Sequence, residues 1–133
     1  MPGTETTAVP SSCADRLAAR ILILEPNAEI RELFCRLVVS LGHEAVVRDD
    51  LVAEDASSID LVLLEPADHE RLAFAAALHA RRPELPLVCA SIYPRIPAAS
   101  ALDPAAYLTK PVSLAQLSRA LDDASAPGLG AQV

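Results

Sequence analysis

The chain has 133 residues, a net charge of −7 and 52% hydrophobic residues, but only 3% aromatic ones. That length fits one ordinary domain with a real core, whereas the acidic charge and the scarcity of rings exclude a phosphate-backbone or base-stacking role, so no nucleic-acid partner is expected. Three scattered cysteines, Cys13, Cys35 and Cys89, exclude a disulfide framework and a zinc site by number and spacing, and a reducing, cytoplasmic setting is expected.

Residues 1–18 are rich in Thr, Ser, Pro and Ala and are expected to form a flexible arm. They lack the basic start and apolar stretch of a secretory signal. No run of about 18 apolar residues occurs anywhere, so no membrane span is expected. "RILILE" (20–25) is a short apolar, β-branched run and reads as a buried strand. "NAEIRELFCRLVVSLG" (27–42) places Ile30, Leu33, Phe34, Leu37, Val38 and Leu41 on one helical face, with Asn27 as N-cap and Gly42 as the stop.

"EAVVR" (44–48) is the second strand, and residues 49–59 leave room for little more than a short helix. "DLVLL" (60–64) is the third strand. "HERLAFAAALHARR" (69–82) is a second long helix, ended by Pro83. "LPLVCAS" (85–91) is the fourth strand and puts Cys89 in the core. Pro94, Pro97 and Pro104 then restrict any helix to a brief one. "AYLTK" (106–110) is the fifth strand. The last helix spans 111–124, capped by Ser113, with Leu114, Leu117 and Leu121 facing inward. Residues 125–133 read as a flexible tail, which leaves 19–124 as the domain.

Short apolar strands alternating with helices predict a parallel sheet covered on both faces. Right-handed crossovers then give an α/β, flavodoxin-like, doubly wound five-stranded sheet of order 2-1-3-4-5, with shortened second and fourth helices. In such sheets ligands bind at the C-terminal strand tips. Those tips carry Glu25, Glu65, Ser91 and Lys110, so two acids, a hydroxyl and an amine converge on one edge. Taken singly, each tip is what any strand shows where it meets water; the set of four is more specific.

The segments "RILILEPNAEIREL", "SIDLVLLEP", "ELPLVCAS" and "AYLTKP" resemble the receiver domains of two-component response regulators. The resemblance covers about residues 20–124. It implies that Glu25 and Pro26 stand at the two acidic positions that help hold Mg²⁺, and that Glu65 stands where an aspartate accepts a phosphoryl group from a histidine kinase. It also implies that Ser91 and Lys110 are the phosphoryl-binding pair, that Tyr107 is the aromatic switch, and that Pro111 follows a cis peptide bond. Phosphoryl transfer needs little more than this positioning and charge neutralisation.

Three departures alter that expectation. Pro26 has no side-chain ligand for a metal that demands near-octahedral oxygen geometry. Glu25 and Glu65 each carry one methylene more than aspartate, a displacement of about 1.5 Å, and a misplacement of about 1 Å can cost a hundredfold in rate. The connections after the second and fourth strands are short for the family. The expected function is therefore that of an atypical, phosphorylation-independent receiver-like domain in bacterial signalling, with no enzymatic activity and Mg²⁺ binding weak or absent. It would act on a protein partner, a histidine kinase or an output protein, or on a second copy as a homodimer. Glu65 would either pair with Lys110 or project its charge toward Lys110 and Ser91 as a partial phosphoryl mimic. The alternative is a working acceptor labelled on Glu65 or Glu25, and a weaker one is a small-molecule site at the strand tips.

Other motifs carry less. His43 and His79 read as surface residues, and His69 sits at a helix start near the strand tips. No phosphate-binding glycine loop and no nucleophile elbow occurs. "EPNAE" after the first strand would repel a flavin phosphate.

Overall fold

The computed structural model describes residues 18–48 and 58–125. Residues 1–17 of the expected arm, residues 49–57 of the expected short helix and residues 126–133 of the expected tail lie outside the described residues.

Five strands alternate with helices along the chain: β1 (Arg20–Leu24), α1 (Ala28–Ser40), β2 (Glu44–Val47), β3 (Leu61–Leu64), α2 (His69–Arg81), β4 (Leu87–Ser91), α3 (Pro97–Ser100), β5 (Ala106–Thr109) and α4 (Leu114–Ser125). All pairings are parallel and the sheet order is β2-β1-β3-β4-β5. This is the predicted 2-1-3-4-5 arrangement. Among the described residues no helix is long and apolar enough to cross a membrane.

β1, β3 and β4 are the central strands, and nearly all their residues are buried. They read as continuous apolar runs because helices cover both sheet faces. Alternate residues serve the two faces. Leu22, Leu24, Val62, Leu64 and Cys89 pack with Phe74 and Leu78 of α2. Ile21, Ile23, Leu61, Leu63 and Val88 pack with Phe34 and Val38 of α1 and Leu117 and Leu121 of α4.

The helix ends follow local chemistry. Asn27 accepts the Ile30 N–H at 3.0 Å. Asp68 caps α2 by accepting the Arg71 N–H at 3.0 Å. Ser113 and Gln116 exchange two hydrogen bonds, of 2.9 and 3.1 Å, as a capping box. Gly42 has φ +91°, a conformation a side chain disfavours, and it ends α1 as expected.

Two inward placements are corrected. Leu33 is 47% exposed and Leu114 is 46% exposed. Leu33 flanks the Phe34–Val38 stripe that meets the sheet, and Leu114 is the first residue of α4, at the strand-tip edge and clear of the core. His43 is also less exposed than expected: its Nδ1 accepts the Ala19 N–H at 3.0 Å, tying the α1–β2 turn to the chain just before β1. The prolines after β4 leave α3 with four residues, Pro97 being its first.

Candidate functional site

At the tips of β1 and β3 the chain repeats itself: Leu24-Glu25-Pro26-Asn27 and Leu64-Glu65-Pro66-Ala67. Both prolines fix φ immediately after the strand. In each copy the glutamate folds back over its own turn. Glu25 Oε2 accepts the Asn27 N–H at 3.1 Å, and Glu65 Oε2 accepts the Ala67 N–H at 2.9 Å. The two remaining carboxylate oxygens face one donor. Lys110 Nζ lies 2.7 Å from Glu25 Oε1 and 2.7 Å from Glu65 Oε1.

The three side chains are secluded. Glu25 is 3% exposed and Glu65 7%, and the Lys110 side chain is 8% exposed. Burial alone would lower the Lys110 pKa, but the hydrogen bonds and charges of Glu25 and Glu65 hold it above the ordinary lysine value. With both acids ionised the trio carries one net negative charge. Two backbone N–H donors offset it on the carboxylates. Arg31 Nη1 adds a contact to the Glu25 carbonyl oxygen at 3.0 Å. The Lys110–Pro111 peptide bond is cis, as the resemblance implied.

Ser91 is fully buried at the end of β4. Its Oγ accepts the Tyr93 N–H at 3.2 Å. Tyr107, from the neighbouring strand β5, donates its hydroxyl to the Tyr93 carbonyl oxygen at 2.7 Å, and its ring packs against the core on the α2 side of the sheet. Burial raises the Tyr107 pKa, and the Ser91 hydroxyl works in the opposite sense. Beneath this edge Cys89 is buried next to the Glu65 charge; burial first and that charge second push its thiol up to about 12. It stays protonated and unreactive at neutral pH.

The predicted site residues therefore fall into two connected groups. Glu25, Glu65 and Lys110 form an ion-paired trio, while Ser91 and Tyr107 meet on Tyr93. Pro26 is exposed beside the trio and contributes only its ring. His69 is exposed at the start of α2 and joins neither group. Sequence reasoning paired Lys110 with Glu65 and missed its equal bond to Glu25; the repeated Leu-Glu-Pro was the available signal. Tyr93 was missed as well, since a backbone amide and carbonyl leave no mark in a sequence.

The donor set does not fit the divalent cation that the resemblance implies. The Pro26 position offers no carboxylate, and the inner oxygens of Glu25 and Glu65 face an ammonium. Among the described residues no three His, Cys, Asp or Glu side chains are grouped to hold a metal ion. A second cation brought among these groups would meet the Lys110 charge.

No protein-family profile matches the sequence, and no curated protein matches it. Solved structures do. A response regulator receiver domain protein from Clostridium thermocellum superposes with a TM-score of 0.72 at 19% identity, over 85% of this chain and 98% of that one. A CheY-like receiver domain protein from Methanospirillum hungatei gives 0.73 at 18% identity, over 86% and 98%. NtrX from Brucella abortus gives 0.69 at 24% identity, over 86% of this chain but only 30% of that longer one. With its five parallel strands in the order β2-β1-β3-β4-β5, the chain has the fold of a CheY-like response regulator receiver domain.

Proposed function

We propose that this chain is a receiver-like signalling module that acts through protein–protein contact, with no phosphoryl group passing to a strand-tip acid and no reaction catalysed. The observation that supports this reading is the double bridge from Lys110 Nζ to Glu25 and Glu65. A phosphoryl group arriving at Glu65 would have to displace that ammonium or the Ala67 N–H, with no carboxylate at position 26 to assist a metal. Glu65 uses its oxygens on Lys110 and Ala67, and Ser91 is bonded to Tyr93. This favours simple charge pairing at Glu65 over mimicry of a phosphoryl group held by Ser91.

The partner is a protein of a bacterial signalling system, a kinase, an output protein or a second copy. The contact face we assign runs over β5, the loop after β4 and the start of α4, where Ile92, Tyr93 and Leu114 are exposed apolar side chains. That loop is held from two strands, by Ser91 and by Tyr107, so the face is preorganised and little ordering entropy opposes contact.

The test is incubation of the protein with Mg²⁺ and acetyl phosphate, followed by intact-mass analysis, and separately with Mg²⁺ and beryllofluoride, followed by tyrosine fluorescence. The expected result is an unchanged mass and spectrum. A stoichiometric phosphoryl adduct released by alkali or hydroxylamine, as a carboxyl phosphate is, would establish a working acceptor instead.

A further inference from the structure

The shortened α3 has a second consequence, at the opposite edge of the sheet. β4 and β5 begin there, about 13 Å or four strand steps below the Lys110 trio. The chain between Ser91 and Ala106 forms only the four-residue helix α3, followed by Leu102, Asp103 and Pro104. Next to the turn after α2 this leaves a cleft of about 330 Å³, the lower end of the range for specific ligand sites. Leu85, Leu87 and Leu102 lie along it, and Pro83 and Pro104 flank it.

The charges on this cleft are not symmetric. Glu84 is held by the Arg82 guanidinium at 3.0 Å. Asp103 is exposed, has φ +51° and has no ion-pair partner among the described residues. An apolar trough with stiff proline walls and one carboxylate that is unpaired among the described residues suits a side chain with an aliphatic stem and a cationic head. An acidic group would be repelled, and a purely apolar one would leave Asp103 unanswered.

We infer that this cleft is a docking site for an arginine or lysine side chain presented by a partner polypeptide, the stem lying along Pro83, Pro86 and Pro104 above the buried Leu85, Leu87 and Leu102, and the head meeting Asp103. It is a second contact surface, distinct from the β5–α4 face, and it does not depend on whether Glu65 accepts a phosphoryl group.

The test uses the full chain, ¹⁵N-labelled, titrated at neutral pH with N-acetyl-arginine amide and, separately, with the isosteric uncharged N-acetyl-citrulline amide. The expected result is amide shifts confined to residues around Leu85, Leu87, Leu102 and Ala105, with arginine binding roughly fivefold tighter than citrulline, the scale of one exposed ion pair. Asp103→Asn, a residue that tolerates positive φ, should keep the spectrum of the folded protein and abolish that preference. Shifts elsewhere, equal binding of the two probes, or an arginine preference that survives Asp103→Asn would each overturn the proposal. If the cleft amides respond to neither probe until residues 1–17 or 126–133 are deleted, the occupant is a segment of this chain and the partner assignment is wrong. Phosphoryl labelling of Glu65 would leave all these outcomes unchanged, so this proposal and the functional reading fail separately.

Discussion

Lys110 Nζ sits 2.7 Å from Glu65 Oε1, and the same ammonium sits 2.7 Å from Glu25. One side chain at the end of β5 thus ties together the tips of β1 and β3, across the position of Ser91 at the end of β4. Removing the ammonium would leave two buried carboxylates facing each other. Lys110→Met should destabilise the protein by about 3–5 kcal/mol, the usual loss when one partner of a buried ion pair is deleted. Adding Glu65→Gln, which keeps an acceptor for the Ala67 N–H but removes one charge, should recover part of that loss. Urea unfolding of the single and double variants measures both values.

The same ion pairs set an alkaline limit. Lys110 has a folded-state pKa above its ordinary 10.5, so the folded state holds this proton more tightly than the unfolded chain. Its contribution is fully present below pH 10.5 and is lost as the pH rises through the higher folded value. Thermal unfolding should show a falling Tm above that pH, and Lys110→Met should lack this component of the fall.

His43 sets an opposite, acidic limit. Burial lowers its pKa below 6.5 and Asp122 only partly counters this, and the neutral Nδ1 accepts the Ala19 N–H. The folded state therefore favours neutral imidazole. Stability is full above pH 6.5 and declines as the pH falls through the lower folded value. NMR titration of the His43 ring should give a midpoint below 6.5, and the Ala19 amide should shift with the same midpoint.

Under the proposed function, phosphoryl acceptance should be gained by restoring two carboxylates of ordinary length. Pro26→Asp with Glu65→Asp would supply a second acid and free the space next to Lys110 by one methylene on β3. That double variant should gain Mg²⁺-dependent labelling by acetyl phosphate, read as one added phosphoryl group by mass. Failure of the double variant to label would move the block from these two residues to the shortened connections after β2 and β4.

Much of this fold was legible because its signals are local. The apolar runs of β1, β3 and β4, the Asn27 and Ser113 caps and the Gly42 stop each depend on a few neighbouring residues. The outward turn of Leu33 and Leu114 was not legible, since the edge of a core is decided by what packs opposite, not by helical period. At the site, the residue types at the strand tips and the Lys110–Glu65 pair were readable, and the second bond, to Glu25, was not. Whether Glu65 met Lys110 alone or Ser91 as well depended on where Tyr93 placed its amide and carbonyl, which no side chain in the sequence encodes. The cleft beside Asp103 depended on how little chain remained after α3.

Whether Lys110 keeps both glutamates in the presence of a metal can be seen in a crystal structure of the protein grown with excess MgCl₂ at neutral pH. Lys110 Nζ is expected within hydrogen-bond distance of both Glu25 and Glu65, with no metal between them. A magnesium ion coordinated by Glu25 and Glu65, with Lys110 turned away, would contradict it.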